Sequence, residues 1–400
     1  MRIGIVKPDY KITGGFEVVV NRMKQELEFA GHNVEIIYVD ETTTAFNDIP
    51  IQLDNNMVYK NPEFFKYINS YWKYMKLDLN KYDAVFSTQP PSFAIDHPKH
   101  IALFYHHAKI YYDLSNLIQE VGLSQPYHQK AVEVIREIDT LALSKTSKIL
   151  AGSQTVKRRL QQFNGIFDNV DVIYAGIDPE IYNYNGEINY RDPIVVGRHE
   201  FPKRPELFAK AMKNLPQLSG RIVGVGGRTD DLKKIDQILT YCYKENIDID
   251  DQTVWKYMSN GNFTHEHNKL QKLFKQNKLT SNVIFTGRVT KEDLLKEYAN
   301  SLCVVCPAYE EDYGLTAIEA MSFKKPVIAC KDGGGYAELI QDGVNGFLVE
   351  PTSSAISQAI KTLAEDPKKC VEMGLASYEI SRKYTWDNTR KKLIDALVSY

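Results

Sequence analysis

Two doubly wound α/β domains facing a cleft are predicted for this chain, on three observations. Its 400 residues exceed the usual size of one compact domain. Short β-rich apolar runs alternate with helical patterns twice over, on either side of a polar connection. Glycine turns fall where strands hand over to helices. With 43% hydrophobic and 25% charged residues the chain has enough apolar material for sizeable cores, which excludes a disordered protein.

Each element follows in order. Ile3–Val6 is an apolar strand, Thr13-Gly14-Gly15 breaks it, and Phe16–Ala30 has helical spacing. Gly31-His32 then leads to a second strand, Val34–Val39, completing a βαβ unit with a right-handed crossover. Ala84–Phe86, Ile101–Tyr105, Ile149–Ala151 and Val170–Tyr174 continue the first series. Asp178–Pro193, poor in apolar periodicity, reads as the connection. Ile194–Gly197 opens the second series, followed by helix Pro205–Leu215 and strands Arg221–Val225, Val283–Phe285, Cys303–Cys306 and Val327–Cys330. Leu315–Phe323 and Tyr336–Ile340 are expected helices, and the polar stretch 228–281 reads as a partly helical insertion. The domains are therefore expected at 1–180 and 190–383, with a last helix in 384–400 packing back on the first. Ligands of such sheets bind at the carboxyl ends of the strands.

Charge and cysteine content narrow the class. Forty-nine basic against fifty-one acidic side chains leave a formal charge of −2, so no nucleic-acid partner is expected. No apolar run approaches the roughly 18–20 residues of a membrane span. The opening run Met1–Val6 is too short for a signal-peptide core, so the expectation is a cytoplasmic protein. Five scattered cysteines suggest no disulfide framework, and Cys303 and Cys306 read as core thiols rather than half a zinc site.

The most informative stretch is Tyr309–Met321. Glu311 lies in a loop after a strand, and Glu319 follows eight positions later, about two turns along a helix beginning near Gly314. First-turn N–H groups can meet phosphate oxygens, and a glutamate deeper on the helix can accept sugar hydroxyls. A helix-start charge and a solvated side chain would also account for the two. Arg198 and Lys203 stand between a strand end and the next helix, a bidentate fork and a point charge suited to a diphosphate, though charged loops are common. Gly14-Gly15 and Gly333-Gly334-Gly335 permit close backbone approach to phosphate, as plain turns also would, and neither is a Rossmann or P-loop fingerprint. His106-His107 ends a strand at a cleft position, where a structural hydrogen bond is the commoner role. His265-Glu266-His267 and Asp248–Asp251 lack the context of a metal site, so no metal is expected.

Together these residues resemble glycosyltransferase family 4, the retaining, nucleotide-sugar-dependent enzymes of GT-B fold. Glu311 and Glu319 match its E-x7-E signature, Arg198 and Lys203 its G-R-x4-K segment, and Gly15 its amino-terminal glycine loop. Ala175–Asp178, Phe285–Val289 and Asn345–Val349 are further matches. The resemblance implies that Glu319 holds the donor ribose, Glu311 contacts the transferred sugar, and Arg198 and Lys203 neutralise the diphosphate. Gly14 and Gly15 would lie beside it, with Tyr313, Gly314, Leu315 and Thr316 at the helix amino end. His106 would approach the reacting face, and Thr286, Gly287, Arg288 and Val289 would meet the base. It further implies no cofactor and no metal. The partners would be a nucleotide sugar and a glycan, lipid-linked or protein-linked acceptor held by the amino-terminal domain, with peripheral membrane association left open. Asp312 and Arg204 replace glycines usual in the family, and the polar insertion is longer. An epimerase of the same architecture and a non-catalytic nucleotide-sugar-binding partner are the competing readings.

Overall fold

The computed structural model describes residues 1–11, 15–43, 55–182, 184–261 and 279–398. The chain divides into two compact units, Met1–Gly176 with Tyr384–Tyr400, and Ile177–Lys383.

Unit 1 runs β1 (Arg2–Asp9), α1 (Gly15–Phe29), β2 (Asn33–Asp40), α2 (Asn55–Lys60), α3 (Pro62–Met75), β3 (Ala84–Ser87), β4 (His100–Phe104), α4 (Ser115–Glu120), α5 (His128–Leu143), β5 (Lys148–Ala151), α6 (Gln154–Asn164) and β6 (Val170–Val172). The strands form one parallel sheet in the order β2-β1-β3-β4-β5-β6. Every residue of β3 and β4 is buried, as expected of parallel strands covered on both faces. Helix α1 buries Val19, Val20, Met23 and Leu27, a stripe at helical spacing.

Unit 2 runs α7 (Pro179–Tyr182), β7 (Asp192–Val196), α8 (Pro205–Lys213), β8 (Gly220–Val223), α9 (Thr229–Lys244), α10 (Asp251–Asn260), β9 (Val283–Gly287), α11 (Lys291–Asn300), β10 (Ser301–Cys306), α12 (Leu315–Ser322), β11 (Val327–Cys330), β12 (Gly346–Val349), α13 (Ser353–Glu365) and α14 (Pro367–Ser381). Its sheet is also parallel, in the order β12-β11-β10-β7-β8-β9. The order reverses between β7 and β10, and the crevice beyond the carboxyl ends of such a strand pair is where open α/β sheets take ligands. The chain then returns to unit 1 as α15 (Trp386–Val398), which packs on α1. Arg390 pairs there with Glu26 at 2.5 Å, and the Thr389 hydroxyl donates to the Tyr174 carbonyl at 2.8 Å.

Two elements differ from the sequence expectation. Tyr336–Ile340 is not a helix but a single 3-10 turn, Ala337–Leu339, after which Ile340 is extended. The backbone of the glycines before it is taken up by Glu311: its N–H donates to the Gly333 carbonyl, and the Gly335 N–H donates to its carbonyl. The stretch opening at 228 is not all insertion, because α9 is the crossover from β8 to β9. It buries Leu232, Ile235, Ile238, Leu239 and Cys242 on one face, a pattern submerged in its charges. Cys303 and Cys306 are buried free thiols, as read. His265–His267, Thr13 and Gly14 lie outside the described residues.

Candidate active site

Three loops meet at the carboxyl ends of β7, β10 and β11. The first leaves β7 through Arg198, makes a 3-10 turn at Phe201–Lys203, and enters α8 from Arg204, with Pro205 in the first helical turn. The second leaves β10 and reaches Gly314, whose φ of 96° starts α12. A side chain at Gly314 would press on Tyr336 and Leu339, so the position requires glycine both for its dihedral and for its packing.

Backbone hydrogen bonds lace the loops together. The Tyr309 N–H donates to the Pro202 carbonyl at 2.8 Å, and the Glu310 N–H to the Asp332 carbonyl at 2.9 Å. Gly334, at φ 57°, lies so close to the Glu311 backbone that no Cβ would fit. On this frame the Lys203 ammonium donates to the Glu311 carboxylate, an ion pair spanning 108 positions of sequence. Both side chains are partly exposed, whereas Arg198 stands exposed at the start of the same loop.

Helix α12 carries the second glutamate. The Tyr298 hydroxyl donates to Glu319 Oε2 at 2.7 Å. Burial pushes the Glu319 carboxyl above the usual range, against the pull of the Tyr298 hydrogen bond; Asp178 adds to the rise and Lys291 opposes it. Lys291 is itself held by Asp178 at 2.6 Å and Glu180 at 2.7 Å. Leu315 and Thr316 occupy the first turn of α12, where N–H groups point out of the helix, and Tyr313 is buried behind them. Thr286 is the last residue but one of β9, its hydroxyl directed at the Gly287 carbonyl at 3.2 Å; Gly287 has φ 73°, and Arg288 is exposed.

The remaining expected residues belong to unit 1. Gly15 opens α1. His106 Nδ1 bonds the His107 carbonyl at 2.8 Å, and His107 is buried among Phe104, Tyr112 and Phe163 with its Nε2 on Asn164. Of the two histidines, His107 is thus a core residue. Unit 2 brings Arg198, Lys203, Glu311, Glu319 and the Thr286–Val289 loop to the carboxyl side of one sheet.

Sequence reasoning missed Tyr298, Asp332 and Trp255. Asp332 ion-pairs with Arg204, at 2.5 Å to Nη2, and the Trp255 ring lies 4.1 Å from the Arg204 guanidinium. A signal existed only for Arg204, a side chain where glycine was expected.

A family model described as "Glycosyl transferases group 1" matches residues 188–380, and one described as "Glycosyltransferase Family 4" matches residues 13–181. A Methanocaldococcus jannaschii protein named an uncharacterized glycosyltransferase is 24% identical over 422 residues, covering 99% of this chain and 97% of its own. Sucrose-phosphate synthase from Thermosynechococcus elongatus superposes with a TM-score of 0.66 at 17% identity, over 99% of this chain and 98% of the other. Anabaena HepE, solved with UDP, also reaches 0.66 at 17% identity, over 100% of both chains. Fold and matches define the chain as a glycosyltransferase of GT-B fold. It belongs to glycosyltransferase family 4. Among the described residues no helix is long and apolar enough to cross a membrane.

Proposed function

We propose that this glycosyltransferase moves a hexosyl group from a nucleoside-diphosphate sugar to a glycan, lipid-linked or protein-linked acceptor, with retention at the anomeric carbon and without a metal. The observation that carries the reading is the Lys203–Glu311 pair at the reversal point of the unit 2 sheet, beside the amino end of α12 and with Arg198 on the same loop. Anabaena HepE, of the same fold, is solved with UDP, which supports a nucleoside diphosphate there. Breaking the anomeric bond develops positive charge on the sugar and negative charge on the departing phosphate. Cations fixed beforehand beside that phosphate stabilise the transition state more than the ground state. Glu319, half-buried and held by the Tyr298 hydroxyl, would accept the donor ribose hydroxyls, and Glu311 the transferred sugar's hydroxyls. Gly14, Gly15 and His106 of unit 1 would serve the diphosphate and the reacting face.

The test is a thermal-shift panel of UDP, GDP, ADP, dTDP and CMP, each with magnesium and with EDTA. A ligand that binds only the folded chain must raise its apparent stability. One nucleoside diphosphate is expected to give a shift that EDTA leaves intact, and Glu319→Ala and Arg198→Ala are each expected to abolish transfer in a folded protein. No shift with any nucleotide, or full turnover in both variants, would overturn the assignment.

A further inference from the structure

Arg204 is an unusual residue for its position. Its φ of 49° is the left-handed conformation in which glycine is relaxed, yet it carries a long cationic side chain that is 0% exposed. The guanidinium donates through Nη1 and Nη2 to Asp332, at 3.3 and 2.5 Å, so the fork ties the loop after β7 to the loop after β11. Its Cζ lies 4.1 Å from the Trp255 ring centroid and 5.1 Å from that of Tyr309, in the loop after β10. Trp255 in turn meets the ring of Phe201 edge-on at 5.4 Å, two residues before Lys203.

Trp255 stands on α10, within the polar stretch that interrupts the second series, and α10 is anchored at both ends. The Asp251 carboxylate takes the Lys210 ammonium at 2.8 Å and the Ser353 N–H at 2.9 Å. The Ser259 carbonyl accepts from Arg228 at 2.6 Å. The helix that carries the ring is therefore anchored by contacts outside the loop that the ring covers.

We propose that Arg204, clamped between Asp332 and Trp255, is a positioning residue that holds Lys203 against Glu311, and that α10 contributes to the site by supplying the Trp255 wall. The inference rests on Lys203 being the counter-charge of the donor diphosphate. Fully buried, Arg204 does not reach the donor and acts through its neighbour.

The experiment is pulse acetylation of the purified full chain with an N-hydroxysuccinimide ester, following Lys203 by mass spectrometry against the exposed Lys368 as internal reference. Glu311→Gln sets the rate of a Lys203 that is no longer held. Arg204→Gly suits the backbone and is expected to raise Lys203 labelling about fivefold, towards the Glu311→Gln rate, with Arg204→Lys falling between. Trp255→Leu tests the wall from α10, without changing the left-handed residue, and is expected to move labelling in the same direction. Lys203 labelling within about twofold of the parent in both Arg204→Gly and Trp255→Leu overturns the proposal. The donor reading is judged separately in the parent chain, by whether UDP, GDP or ADP protects Lys203. A faster Arg204→Gly without nucleotide protection would uphold the brace and sink the donor assignment.

Discussion

Glu206 lies fully buried in the first turn of α8, two residues beyond Arg204. Burial pushes its carboxyl up to about 8, with the Arg204 charge only partly opposing. A carboxyl whose pKa rises on folding binds its proton more tightly in the folded state. Its contribution to stability is therefore full below the unfolded value of 4.5 and is lost as pH climbs to about 8. Glu206→Gln removes that titration, so the variant should gain on the order of 2–4 kcal/mol over the parent between pH 5 and pH 8. Urea unfolding at the two pH values checks this, and a difference that does not change with pH would refute it. At the active site, Lys203→Ala removes a cation fixed at the reversal point and should lower turnover by about 10²–10³, read from initial rates with the donor that the nucleotide panel identifies. The residue types of this site were legible in the sequence, because Glu311 and Glu319 at eight-residue spacing and Arg198 with Lys203 are local patterns. Their partners were not. The Lys203–Glu311 and Arg204–Asp332 contacts span 108 and 128 positions, and only the strand order brings them together.

Among the elements, the buried parallel strands were the most readable, since strands covered on both faces write themselves as short apolar runs. Helix α9 was hidden because its buried stripe is interleaved with Asp230, Asp231, Lys233, Lys234 and Asp236. The Tyr336–Ile340 segment has helical composition, but its preceding glycines are committed to Glu311. Helix α10 depends on its cap: Asp250 Oδ1 accepts the Thr253 N–H at 2.7 Å and Oδ2 accepts the Thr253 hydroxyl at 2.9 Å. Asp250→Ala should cost about 1 kcal/mol and loosen the first turn of α10. Hydrogen exchange over residues 251–256 is the measurement; unaltered protection there would show that the Asp251 contacts hold the first turn without the cap.

For the whole molecule, the two units carry separate hydrophobic cores, and the chain passes from one to the other after Gly176 and back after Lys383. Helix α15 buries Trp386, Leu393, Ala396 and Leu397 in unit 1. Ending the chain at Lys383 removes these, a loss on the order of 5 kcal/mol or more, comparable to the net stability of a domain. Calorimetry of that truncated chain should find the unit 2 transition in place and the unit 1 transition lowered or lost. Equal losses in both would mean that the units unfold as one. The apolar spacing of residues 386–398 pointed to a helix, and its seat on α1 follows from contacts such as Arg390 with Glu26 that no local pattern announces. The same connectivity also orders events during synthesis. Unit 2 is a continuous stretch and can close its core as soon as residue 383 has cleared the ribosome. Unit 1, though its sheet precedes unit 2 along the chain, must keep the α1 surface uncovered until α15 has been made, so its core is completed after that of unit 2.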